Sequence, residues 1–260
     1  MASLVASRLI FPQNSTNFAA TVATEHHEVA GDGISAHEKW TLTQVHGICF
    51  VIGWFFCVSV AAFGARHLRD LAPSINPFGL KIWFHLHRTL NILGALLMIV
   101  GLMVIFIAHD WKWLGPKPNN TRSNTSSVPM HTICGILSVI IAWIQPLNSM
   151  LRCGPSHPQR PVFNWGHRLA GIVSWLLAAT TIAIACKKFG KRFTDSDSAT
   201  GICAAFIAFV GACVIAGEVL QFLAKGKLLN RLKSYIFVIF SVISIIVTIV
   251  LTVMISKKQS

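Results

Sequence analysis

The sequence predicts an all-α fold, a bundle of six transmembrane helices. Three observations lead there. Hydrophobic residues make up 53% of the chain and charged residues only 12%, at a mean hydropathy of +0.61. A soluble domain of this length cannot cover its surface with so few polar groups. The apolar residues gather in runs of about 18 or more, each long enough to cross a hydrocarbon layer of about 30 Å as a helix. Histidines, costly in such company, recur at the starts of the first four runs.

The runs fall at 43–65, 82–108, 131–150, 167–186, 200–223 and 235–256. Before them, residues 12–42 are polar and read as tail. The opening "MASLVASRLIF" has no charged segment ahead of a short apolar stretch, so it does not read as a secretory signal. The expected organisation is a flexible lumenal or extracellular tail over 1–42 and a membrane domain over 43–223. A four-helix core over 43–186 and the fifth helix make up that domain. An inner loop and the sixth helix complete the chain over 224–260.

The net charge of +13 does not point to nucleic acid, because Lys and Arg sit at span ends and in loops and no basic helix carries interleaved aromatics. The sequons at Asn14, Asn119 and Asn124 all fall on one face of a six-span chain, which places that face outside. Lys and Arg give no vote on orientation, with eleven on each side. None of the seven cysteines forms a CxxC or CxxCH motif, so zinc-ribbon, thioredoxin-like and c-type haem readings fail; they read as small buried residues.

His46, His87, His131 and His167 each open one of the first four spans. Antiparallel neighbours alternate direction, so His46 and His131 come to the outer leaflet and His87 and His167 to the inner one. Facing imidazoles across a four-helix bundle are a natural axial cage for haem iron. Gly135 and Gly171 follow His131 and His167 by four residues, one turn on along the same face, where a porphyrin needs close backbone approach. Zinc would want a third or fourth ligand, and Glu218 in the fifth span is the one acid the spans offer. His85 and His87 lie about 200° apart around a helix, so they cannot serve one haem together; helical phase does not choose between them.

The other histidines carry no such pattern. His26, His27 and His37 lie in the tail, His67 and His157 in inner loops, and His109 closes the second span. Asn91, Gln145 and Asn148 are polar side chains expected to bond between helices, and Glu218 is expected to pair with Lys225.

The segments "HGICFVIGW" (46–54), "WFHLHRTLNILG" (83–94), "HTICGILSVIIAWIQPLN" (131–148) and "RPVFNWGHRLAG" (160–171) together resemble the cytochrome b561 fold, and within it the b561 domain of the ferric-chelate reductase (stromal-cell-derived receptor) branch. The resemblance covers about 40–190 and implies two haem b groups with bis-histidine ligation and electron transfer across the membrane. It selects His87 over His85, with pairs His46/His131 (outer) and His87/His167 (inner). Reductases of this branch usually carry reeler and DOMON domains ahead of the b561 domain, where this chain is expected to have a short tail. The arginine-rich motif of the vesicular ascorbate-dependent branch is missing.

These features set the functional expectation: a multi-pass oxidoreductase of the plasma membrane or an endosomal or vesicle membrane, with its N-terminus lumenal or extracellular. A cytosolic reductant, ascorbate, would feed the inner haem, and ferric chelate or monodehydroascorbate would accept at the outer face. Lys81, Arg88, Arg152, Arg160 and Arg168 gather on the inner face. Lys81 and Arg152 are the residues expected to hold ascorbate, and Arg88 is expected to meet a haem propionate or the donor. The family also implies a homodimer. A histidine-lined metal-ion or proton transporter would need polar residues through mid-membrane, and the span middles are Leu, Ile, Val and Ala. A non-catalytic scaffold is the third reading, in which the histidines only pack.

Overall fold

The computed structural model describes residues 33–69, 75–118, 121–150, 152–154, 156–223 and 226–257. The helices all lie in one compact unit, Ala36–Ser260. Six are long and apolar enough to cross a membrane: α1 (Ala36–His67), α2 (Ile82–Ala108), α3 (Ser127–Met150), α4 (Arg160–Lys188), α5 (Ser196–Leu223) and α6 (Gly226–Ser256). Most begin earlier than hydropathy alone places them. α1 starts at Ala36 rather than at 43, so the residues "AHEKWTL" at 36–42 are helix and not tail, and α6 starts at Gly226 rather than at 235. Polar first turns are invisible to hydropathy but are good helix, with Pro161 in the first turn of α4 pre-setting its φ. Residues 1–32 of the expected tail lie outside the described residues.

Helix α1 is the hub. Of its most apolar stretch 61% is buried, against 17–33% for the other five. It packs antiparallel on α2, while α3 packs on α4, and contacts between the two pairs are sparse. α5 and α6 close the far side of α1 and α4. The α1–α2 approach is made by backbone: a Cβ on Gly94 would lie 3.4 Å from the Gly53 carbonyl oxygen. Gly94 thus serves close packing, two turns on from His87.

Midway along α1 the helix widens into i-to-i+5 turns over Ile52–Val58. Such a bulge frees a carbonyl and is frequent at functional sites. Here the Ser59 hydroxyl donates to Trp54 O at 2.8 Å and accepts from Trp175 Nε1 of α4 at 2.9 Å. Trp54, Phe55 and Cys57 of this segment are fully buried. Trp54 and Phe55 join Met98, Val139, Ala178, Phe206 and Leu251 in a core that draws on all six helices. Outward-facing side chains such as Leu96, Ile172 and Ile246 are apolar and exposed, as a lipid-facing surface requires. The seven cysteines are free thiols, five of them buried.

One inner-face expectation needs correction. His67 is not in a loop: it ends α1, is 3% exposed, and packs 4.4 Å from the Phe63 ring. Glu218 takes Arg66 as its partner in a two-pronged pair at 2.7 and 2.6 Å. Arg66 is in the last turn of α1; Lys225, the partner expected for Glu218, lies outside the described residues.

Candidate functional site

The four histidines come together as two pairs. His46 and His131 have ring centres 6.2 Å apart, and so do His87 and His167. Three of the four rings are steered from a neighbouring helix. His46 Nδ1 lies 2.9 Å from Gly101 O on α2, and His87 Nδ1 lies 3.1 Å from Ala61 O on α1. His131 Nδ1 lies 3.1 Å from Thr181 O on α4. The scheme is reciprocal: α1 and α2 each offer a histidine near one end and, about four turns away, a carbonyl for the partner's histidine. With Nδ1–H given to a carbonyl, Nε2 is the nitrogen each ring has left to offer.

The fold runs this way because backbone carbonyls in a helix end or at close helix–helix contacts can accept a second bond, and α1 and α2 are close enough for it. Gly101 is part of that closeness. A Cβ there would lie 2.7 Å from the Phe50 ring, which itself packs 4.8 Å from His46. The outer pair is completed by Phe189, 5.1 Å from His131, and the inner one by Phe163, stacked at 6.2 Å and 5° on His167. Along α2, His87 and Gly101 are fourteen residues apart, so the two sites are separated by about 21 Å of helix rise.

The residues fit a haem. Two imidazole nitrogens on one iron, with bonds of about 2 Å and about 1.1 Å from nitrogen to ring centre, put ring centres about 6 Å apart; the observed 6.2 Å matches at both ends. Among the described residues no group of three or more His, Cys, Asp or Glu gathers at one point, so each site offers two imidazoles, a supply that suits haem iron better than zinc. A Cβ on Gly171 would meet nothing within 4 Å, which leaves room one turn beyond His167. Gly135 does something else: its Cβ would touch Thr181 Cγ2 at 3.4 Å, so it seats α3 on the residue whose carbonyl holds His131.

His85 points away from this arrangement. Its Nε2 lies 2.8 Å from Pro77 O in the turn before α2. Asn91 binds within its own helix, donating to His87 O at 2.7 Å with its amide 3.3 Å from His87 Nδ1; it braces the histidine rather than joining two helices. The inner cations spread out. Lys81 is the exposed N-cap of α2. Arg88 is exposed with its guanidinium 5.9 Å from the Phe84 ring on its own helix. Arg152 is exposed in the α3–α4 loop. Burial, then the Arg160 and Arg69 guanidiniums, hold it below its ordinary pKa. Arg160 Nη1 donates to Cys153 O. Arg69, 5.2 Å from the Trp83 ring, belongs to this cationic rim and was missed because its loop context carried no motif.

At the outer rim, Lys39 pairs with Asp110 at 3.3 Å, and Arg192 lies 4.4 Å from the Trp40 ring. His109 is held below its ordinary pKa by burial, then by Arg192 and Lys39. Of the sequons, Asn124 donates its side-chain amide to Lys117 O at 2.7 Å, while Asn14 and Asn119 lie outside the described residues.

The family model for eukaryotic cytochrome b561 matches residues 45–190, the stretch that holds both pairs. The chain belongs to that family. Membership in the b561 family carries b-type haem binding. Relatives include a homolog of ferric-chelate reductase 1 from Drosophila melanogaster, 30% identical over 146 residues, which are 56% of this chain and 20% of that protein. Ferric-chelate reductase 1 of Homo sapiens is 24% identical over 155 residues, 60% of this chain and 24% of that protein. The transmembrane ascorbate-dependent reductase CYB561 of Sus scrofa is 25% identical over 163 residues, 60% of this chain and 58% of that protein. The chain thus spans about a fifth to a quarter of the ferric-chelate reductase relatives. No solved structure matches the chain at a significant level.

Proposed function

We propose that the chain carries electrons across a membrane through two b-type haems, His46/His131 holding the outer one and His87/His167 the inner one. The observation that carries the reading is the pair of 6.2 Å imidazole spacings at opposite ends of one bundle. Bound there, haem supplies a one-electron couple, and two such centres divide a span of about 30 Å into shorter steps.

The chain's own part is to hold, orient and dry these centres. The carbonyls of Gly101, Ala61 and Thr181 fix ring rotation and raise the basicity of the opposite nitrogen. The mid-bundle between the sites is closed to water by Trp54 and Phe55 and tied from α1 to α4 by the Trp175–Ser59 bond. Gly171 leaves room for the porphyrin edge. On the inner rim, Lys81 and Arg152, with Arg69 beside them, present cations to an anionic reductant, for which ascorbate is the proposed identity. Arg88 is the proposed contact for a propionate or the donor, reached by swinging off Phe84. Ferric chelate or monodehydroascorbate is the proposed acceptor at the outer rim, in the plasma membrane or an endosomal or vesicle membrane, the N-terminus outside.

The test is electron transfer in vesicles. Purified protein is inserted in liposomes with a ferric chelate and a ferrous indicator trapped inside, and ascorbate is added outside. Haem-dependent appearance of trapped ferrous iron supports the function. A fully haem-loaded protein that leaves the trapped chelate oxidised refutes it.

A further inference from the structure

Three of the four histidines are held at Nδ1 by an acceptor on the neighbouring helix, and the fourth is not. His167 Nδ1 is buried without a hydrogen-bond partner. An N–H that orients a metal-bound imidazole nearly always has an acceptor, and an orphaned buried donor is expensive. The register of α3 and α4 shows where the acceptor should come from. His131 Nδ1 meets Thr181 O, and Ser174 Oγ donates to Ser138 O at 2.7 Å. In going from the first contact to the second, α3 advances seven residues and α4 retreats seven. Seven more in each direction reach Gln145 on α3 and His167 on α4, level with one another.

Gln145 has the complementary defect. Its Oε1 is buried without a partner, and its Nε2 reaches Ile141 O only at 3.5 Å, the outer limit of a hydrogen bond, so little holds the amide in place. A donor without an acceptor and an acceptor without a donor thus occupy the same level of two packed helices.

We infer that Gln145 is the positioning residue of the inner haem site, its Oε1 accepting from His167 Nδ1–H when His167 ligates iron. The inference rests on the haem-ligand reading above. Gln145 then does with a side chain what Gly101, Ala61 and Thr181 do with the main chain. The difference has a physical reason. Pro146 lies inside α3 next to Gln145 and removes a backbone N–H at this level, and an amide side chain supplies the acceptor here. A side-chain acceptor also makes the inner site tunable by substitution in a way the other three rings are not. A stronger acceptor on Nδ1–H pushes charge onto the ring and favours ferric iron; a missing one favours ferrous.

The test is a spectroelectrochemical titration of haem-loaded wild type, Gln145→Leu and Gln145→Glu, with haem per chain and the electron-resonance signals of each ferric centre recorded in parallel. One of the two components should move to higher potential in Gln145→Leu and to lower potential in Gln145→Glu, with the other component fixed. The moving component should be the one abolished by His167→Ala. A purely structural role moves both variants the same way or lowers haem content in both, and either result overturns the inference. So does an unmoved titration, which would assign the ring to Ala142 O, the carbonyl that Pro146 leaves without its helical donor. Wild type that takes up no haem refutes the underlying ligand reading instead, so the two failures are distinguishable.

Discussion

Replacing Gly101 with Ala probes the outer site without touching a ligand. The added Cβ would lie 2.7 Å from Phe50 Cε2 and 3.2 Å from Cys49 Cβ. Ordinary carbon contacts begin at about 3.5 Å, so α2 and the Phe50 ring must separate by about 0.8 Å. Phe50 cannot simply swing clear, because it packs 4.8 Å from His46, and the carbonyl of the substituted residue is the acceptor for His46 Nδ1. Overpacking of this kind costs about 1–3 kcal/mol and the weakened hydrogen bond about 1 kcal/mol. The expected result is a protein less stable by roughly 2–4 kcal/mol, with the outer haem component shifted or partly lost and the inner one intact. The assay is thermal unfolding in detergent beside a redox titration. Gly211→Ala in α5 is the control, since its Cβ meets nothing within 4 Å and it has no part in either histidine site. Equal effects of the two substitutions, or a shift confined to the inner component, would refute the argument.

Three further outcomes follow from the same geometry. His87→Ala should remove one haem per chain while His85→Ala, whose ring contacts the Pro77 carbonyl, should leave both; pyridine haemochrome assays give the count. Glu218→Gln leaves Arg66 and Lys233 as neighbours of like charge at the inner ends of α1 and α6. Because the pair is partly exposed, the expected loss is at most about 1 kcal/mol, read as a small, salt-dependent drop in melting temperature. Asp195 opens α5: its carboxylate accepts from the Ser198 hydroxyl and from the amides of Ser198 and Asp197, which hold it below the usual carboxylate range. A depressed folded pKa means that stability is present above the unfolded value and lost as pH falls through the folded one. Asp195→Asn should therefore lower the melting temperature slightly at neutral pH and flatten the acid limb of its profile, the two proteins converging at low pH.

The spans and the histidine pairing were legible because both rest on strong signals: hydrocarbon thickness sets run length, and alternating helix direction sets leaflet. The choice of His87 over His85 was not physical at that stage. It becomes so only when His85 is seen turned to Pro77 and His87 braced by Ala61 O and Asn91. Gly101, Ala61 and Thr181 could not have been found, since a carbonyl acceptor leaves no mark on residue type. His67 was misplaced because a helix end extends past the apolar run, and a window of hydropathy stops where Arg66 begins to count against it. Polar first turns hid the true starts of α1 and α6 for the same reason.

The central claim is that each histidine pair holds one haem b. It is tested most directly by the haem-to-protein ratio of purified chain, with a reductive titration of its visible spectrum. The account requires two haem b per chain titrating as two components, one lost in His46→Ala or His131→Ala and the other in His87→Ala or His167→Ala. A ratio of one, or two components that both vanish or both persist when either pair is broken, would contradict it.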